Sequence, residues 1–159
     1  MTTSIGDLGE QLVSNWLQSQ SYRILNRQWR CRWGEIDIIA EDKNNSTLVF
    51  VEVKTRNNFN WDNFGLEAIS INKQQKISRS AALFLSQNIQ YNDFYIRFDV
   101  AGVRCQKTTA PSSLDIKIKN HSQNNSLCNK TLSNKFISNF VDGYYLQIIH
   151  YLENAFEYN

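Results

Sequence analysis

Residues 34–56 read GEIDIIAEDKNNSTLVFVEVKTR, and this stretch decides the fold. Ile36, Ile38 and Ala40 alternate with Glu35, Asp37 and Ile39. Val49, Val51 and Val53 alternate with Phe50, Glu52 and Lys54. A period of two with β-branched residues predicts two strands. Between them, Lys43-Asn44-Asn45-Ser46 is turn chemistry. A four-residue loop there pairs Asp42 with Thr47. Counting back in register sets Asp37 opposite Glu52, with Lys54 on the same face two residues on. Opposed carboxylates inside an apolar ribbon repel each other. The arrangement calls for a compensating cation, and a divalent metal assisted by Lys54 is the natural one.

Outward from this hairpin, the spacing of Ile5, Leu8, Leu12, Val13, Trp16 and Leu17 predicts an amphipathic helix over about 5–20, with Ser4 as N-cap. Gly9 falls on its apolar face, where a missing side chain permits close packing. A short strand is expected to begin at Tyr22–Leu25. Arg23, Arg27, Arg30 and Arg32 then punctuate the chain, with Trp29 and Trp33 among them. After a polar-aromatic loop from Asn57, a second helix is expected over 70–87, its exposed side carrying Lys73, Lys76 and Arg79. Ile96, Phe98 and Val100 mark another strand over 95–103.

Three segments follow from composition: a core domain over 1–106, an Asn/Ser-rich insertion over 107–141 with a short strand at Leu114–Ile118, and a C-terminal helix over 142–159 packing back on the core. The helix is read from Leu146, Ile149, Leu152 and Phe156. The 159 residues, 42% of them hydrophobic, suffice for a buried core, and a net charge of +2 neither requires nor excludes a nucleic-acid partner. Cys31, Cys105 and Cys128 are an odd number at wide spacing, so neither a zinc site nor a disulfide framework is indicated. The N-terminus lacks signal-peptide regions, and no apolar run reaches membrane-span length. A soluble, cytoplasmic protein without membrane contact is expected.

The order helix with Glu10, strand with Asp37, strand with Glu52-Val53-Lys54 and basic helix resembles the PD-(D/E)xK nuclease superfamily. The wider string is more specific. Gly6-x-x-Gly9-Glu10, Gly34-Glu35-Ile36-Asp37, Phe50 to Arg56, Lys73, Arg97-Phe98-Asp99-Val100 and Asn154-Ala155-Phe156 together resemble the bacterial YraN family. That family is largely uncharacterised and is placed with Holliday-junction-resolvase-like folds. The resemblance covers residues 5–104 and returns near the C-terminus. Two departures are the Asn/Ser-rich stretch and Ile36, where the superfamily name puts proline. The resemblance implies an α/β, restriction-endonuclease-like mixed central sheet flanked by helices. It also implies DNA, branched DNA included, as substrate, and extends the expectation to a homodimer.

The residue chemistry agrees. Phosphodiester hydrolysis needs a nucleophilic water and relief of phosphate charge. Mg²⁺ (or Mn²⁺) held by one or two carboxylates keeps positions open for both. Asp37 and Glu52 are the expected ligands, with Glu10 supporting from the helix edge. Lys54 is expected to orient the water and stabilise developing charge. Arg27, Arg30, Arg32, Lys73 and Lys76 are the expected nucleic-acid contacts. Arg97 and Asp99 have a plainer reading, as a pair along one strand face. The leading expectation is a Mg²⁺-dependent endonuclease-like protein. A catalytically silent nucleic-acid-binding module and a non-enzymatic scaffold are the alternatives.

Overall fold

The computed structural model describes residues 4–57, 69–108 and 138–157. Helix α1 spans Ile5–Ser19, and strands β1, β2 and β3 span Tyr22–Cys31, Gly34–Asp42 and Thr47–Arg56. Helix α2 (Ile71–Gln87) and a short 3-10 turn lead to β4 (Tyr95–Lys107). Strands β5 (Ser138–Val141) and β6 (Tyr144–Phe156) close the chain. Six strands form one sheet in the order β1-β2-β3-β4-β6-β5. Only β3 and β4 run parallel, joined through α2; the other neighbours are antiparallel. This is the mixed central sheet flanked by helices that the family resemblance implies.

Each helix covers its own face. Leu8, Leu12, Val13, Trp16 and Leu17 of α1 bury Ile38, Ala40, Val49, Val51, Ala101 and Val103. Ile77, Ala81 and Phe84 of α2 bury Ile36, Ile39, Leu48, Phe50, Phe98 and Val100 on the other face. A sheet covered on both faces needs apolar residues at both parities, as Thr47–Val51 and Phe98–Val103 supply. Ser4 caps α1 as expected: its Oγ accepts from Asp7 N, and Asp7 Oδ2 accepts from Ser4 N. Gly9 is where α1 touches the sheet. A Cβ there would lie 1.9 Å from Thr55 Oγ1, so only glycine lets helix and strand approach this closely.

The hairpin register is the expected one. Asp42 pairs with Thr47, Ala40 with Val49 and Ile38 with Val51. The turn is held by Asp42, which accepts from Asn44 N (3.0 Å) and Asn45 Nδ2 (2.7 Å). One detail differs from the alternation. Ile38 and Ala40 face α1, but Ile36 packs with Ile39 beneath α2. The register sets Gln28 across from Asp37, and Gln28 has a φ of 50°. That left-handed residue breaks the pleat, and side chains beyond it exchange faces. Strand β1 is longer than the short strand expected to begin at Tyr22–Leu25: it runs from Tyr22 to Cys31 and takes in Arg27, Trp29 and Arg30 of the basic-aromatic stretch.

The C-terminal segment corrects the sequence reading more substantially. The helix expected over 142–159 is β6, paired with β4 on one side and β5 on the other. Its apolar residues lose period two because the ladder with β4 shifts register twice, between Phe98 and Val100 and between Gly102 and Val103. Leu146 packs on the α1 side and Leu152 and Phe156 on the α2 side, so apolar residues drawn from both faces fall at spacings of three and four, which imitates a helix. The aromatic and β-branched content of Tyr144-Tyr145-Leu146-Gln147-Ile148-Ile149 favours the strand. Residues 142–159 are therefore no appended helix; described residues 144–156 are an internal part of the sheet. The strand expected at 114–118 and the loop residues from 58 to 64 lie outside the described residues.

Candidate active site

Beyond Ile38 and Val51, the last paired residues of β2 and β3, the next opposed positions are Asp37 and Glu52. A side chain takes over there. Asp37 Oδ2 accepts the backbone N–H of Val53 at 2.7 Å. This bond ties Asp37 to the residue between Glu52 and Lys54, and so fixes one end of the motif on the other.

Glu52 is 4% exposed, unusual for a glutamate. Two ammonium groups flank it. Lys54 Nζ donates to Oε1 at 2.7 Å, and Lys73 Nζ of α2 lies 3.1 Å from Oε2. The second contact is an ion pair without hydrogen-bond alignment, since Oε2 is buried with no bonded donor. The close approach of Gly9 to Thr55 brings the next residue, Glu10, against the sheet. Glu10 Oε2 is also buried without a hydrogen bond, and its nearest cation is Arg27 Nη2 at 3.8 Å. Burial pushes the Glu10 carboxyl above its ordinary value, against the pull of Gln28 and Arg27.

Asp37 is affected most. Burial, then the charge of Glu52, raises its carboxyl to about 7; Glu10 adds to the rise, while the Val53 N–H and Lys73 oppose it. The consequence for stability has a definite sign. The unfolded Asp37 titrates near 3.9, whereas the folded one keeps its proton to about pH 7. The stabilising contribution is complete below pH 4 and is lost as pH climbs through 7. In chelator, wild-type urea midpoints should therefore fall between pH 5 and pH 8, and Asp37→Asn should lose much of that fall. Equal pH dependence in the two proteins would remove Asp37 as its source.

The site fits a hard divalent cation on donor chemistry. Glu10 and Glu52 each present a buried oxygen lacking a hydrogen-bond donor, and Asp37 is a carboxyl whose ionisation is resisted by burial and by the charge of Glu52. Among the described residues, no group of three His, Cys, Asp or Glu side chains forms a metal cage. Mg²⁺ does not need one, because it is commonly held by one or two carboxylates together with phosphate and water.

The expected nucleic-acid residues divide. Lys73 stands in the site on Glu52. Lys76 and Arg32 are exposed. Arg30 is paired to Glu35 at 3.0 Å on the surface. Arg27 is turned inward under α1, where its guanidinium meets Gln11 Oε1 and the carbonyl of Asp7. Trp29 also turns inward, edge-on to Phe84 at 5.6 Å. Arg97 and Asp99 do pair, through Nε at 2.9 and 3.1 Å and Nη2 at 2.8 Å. Sequence reasoning gave Lys73 a phosphate role and missed its contact with Glu52. Its position three residues after the Ser70 cap, at the start of the helix leaving β3, was the available signal.

Comparison with known proteins adds kinship. The model of the uncharacterised protein family UPF0102 matches residues 9–103, a span holding Glu10, Asp37, Glu52, Lys54 and Lys73. A UPF0102 protein of Acaryochloris marina is 39% identical over 160 residues, covering 96% of this chain and 89% of that protein. One from Trichodesmium erythraeum is 39% identical over 163 residues, with 95% and 87% covered. One from Trichormus variabilis reaches 52% identity over 106 residues, 65% of this chain and 70% of its own length.

Proposed function

The chain belongs to the uncharacterised protein family UPF0102, the YraN family, and on that premise we propose that it is a divalent-metal-dependent, endonuclease-like protein hydrolysing phosphodiester bonds of DNA. The observation that carries the reading is Glu52: a buried carboxylate next in register to Asp37, held between two lysines. A structural glutamate gains little from such a position, because burying like charges costs stability.

Asp37 and Glu52 would hold Mg²⁺ or Mn²⁺, with Glu10 supporting them from α1. When bound, the ion supplies positive charge at a phosphate oxygen and lowers the proton affinity of the attacking water. Lys54 is anchored on Glu52 Oε1, so its ammonium is already oriented where negative charge develops on the phosphate. Lys73 balances Glu52 Oε2 and would be free to meet a phosphate were Glu52 to hold a metal ion. A catalytically silent nucleic-acid-binding module is the second reading. It is favoured by the way two ammoniums already compensate Glu52 without a metal. A cleavage panel of single-stranded, duplex, flapped and four-way DNA with Mg²⁺ or Mn²⁺ separates the two. Cleavage that requires Glu52 supports the enzyme; binding without cleavage across the panel supports the module.

Metal binding can be read apart from turnover. Wild type should melt at higher temperature in Mg²⁺ or Mn²⁺, by about 2.7 kcal/mol of stabilisation at a hundredfold excess over Kd. Asp37→Asn should lose that shift. Lys73→Met should enlarge it at low metal, because a competing cation is gone. Equal shifts in wild type and Asp37→Asn would place any bound ion elsewhere.

A further inference from the structure

The turn between β1 and β2 is Arg32-Trp33, and it leans on α2. Cys31 Sγ donates to Ser80 Oγ at 3.2 Å, and Trp33 N donates back to Cys31 Sγ at 3.4 Å. Next to Ser80, the Arg79 guanidinium lies 5.1 Å from the Trp33 ring centroid. The Arg32 guanidinium lies 4.8 Å from the same ring. One indole from the strand turn thus gathers an arginine from its own turn and another from the helix.

The charge balance here differs from that at four other arginines. Arg23, Arg27, Arg30 and Arg97 each have a carboxylate partner. Among the described residues, no carboxylate pairs with Arg32 or Arg79, and both are exposed. Bringing two cations to one ring costs repulsion, which the face of the indole offsets. Stacking occupies the flat face of a guanidinium and leaves its N–H donors at the edge unused. Two such forks on one ring, anchored on a strand turn and a helix, match the oxygens of phosphodiesters. The surface also leads to the site. Arg79, Lys76 and Lys73 lie on one i, i+3, i+6 row of α2, and Lys73 ends on Glu52. Six residues of helix span about 9 Å. That is two to three nucleotides at roughly 3.4 Å of rise.

We propose that Arg32, Trp33 and Arg79 form a phosphate clamp that holds the backbone of a nucleic-acid strand two to three nucleotides along α2 from Lys73, the lysine that meets Glu52. The clamp reads backbone charge, and its indole positions the two guanidiniums instead of stacking on a base. It deepens the nuclease-like reading and rests on it for the identity of the ligand. It adds Arg79 and Trp33, and leaves Arg27 and Trp29 to the fold.

The test is equilibrium binding of a labelled single-stranded oligonucleotide by anisotropy, in EDTA so that no cleavage intervenes, at several salt concentrations. The Arg32→Gln/Arg79→Gln double variant should lower the log–log salt slope by about 1.4, two contacts at roughly 0.7 each. Trp33→Leu should weaken binding several-fold with most of the slope retained, since the charges remain but are no longer positioned. Arg32→Lys/Arg79→Lys should behave like Trp33→Leu, for lysine keeps the charge and loses the fork. Melting temperature confirms that each variant is folded. A wild-type slope in the double glutamine variant overturns the clamp, even if Glu52→Gln abolishes cleavage and so upholds the site. A lowered slope with no cleavage of any substrate upholds the clamp and sinks the nuclease reading instead. No binding by wild type, or equal binding to polyglutamate at matched salt, overturns the assignment to nucleic acid.

Discussion

If the chain is the metal-dependent nuclease proposed above, Glu52→Gln will bring its DNA cleavage below detection while the protein stays folded. Glutamine keeps the shape and one acceptor oxygen, so Lys54 retains a hydrogen-bond partner across the present 2.7 Å contact. What is lost is the charge, and a neutral amide is a poor ligand for a hard cation. The fold should tolerate the change, because removing a buried charge relieves its desolvation and the lysines, each about a third exposed, can turn to water. Lys54→Ala should act differently. Metal and DNA still bind, but turnover falls on the order of 10²-fold, as when a donor aimed at developing charge is removed. The loss then appears in kcat with KM little changed, the signature of an interaction made in the transition state. Wild-type cleavage in Glu52→Gln would mean a contaminating nuclease or another site.

The chemistry of this site was more legible in the sequence than its surroundings. Asp37 and Glu52 could be paired because the hairpin turn has four residues and the side-chain period is two, so one count fixes the register. Gly9 could be placed because it interrupts an otherwise apolar helix face. The basic-aromatic run was not resolved, because Arg27 and Trp29 point inward while Arg32 and Trp33 form the turn. An αL residue at Gln28 decides that, and no residue-type signal marks it. The last strand was misread for a related reason. Bulges interrupt the period-two pattern and both faces carry apolar residues, and the resulting spacing of three and four is the helical signal itself. The motif was still informative where the periodicity misled. Arg97-Phe98-Asp99 and Asn154-Ala155-Phe156, far apart in sequence, meet in the sheet, where Phe98 and Phe156 stack at 4.9 Å.

That meeting sets the largest expected effect on stability. Asp99 is fully buried, with 0% exposure. Its carboxylate accepts from Arg97 on the same strand, from Tyr151 Oη at 2.7 Å and from Asn154 N at 2.9 Å, both on β6. Arg97 in turn donates to Tyr22 Oη at 2.9 Å, which brings in β1. One carboxylate therefore holds the bulge at Asn154, where φ is 53°, and joins strands from both ends of the chain. Asp99→Ala leaves the mostly buried Arg97 without its main counter-charge, and breaking a buried pair in this way costs about 3–5 kcal/mol. For a domain of ordinary stability, roughly 5–15 kcal/mol, that is a large share, and the melting temperature should fall by roughly 10 °C. Adding Arg97→Met should restore much of the loss, since it removes the stranded charge rather than the contact. A single variant within about 1 kcal/mol of wild type would show that the pair is not what holds β6. At a temperature where Asp99→Ala is still folded, its oligonucleotide binding should match wild type, because Asp99 supports the sheet and contributes no donor to the proposed clamp or to Glu52.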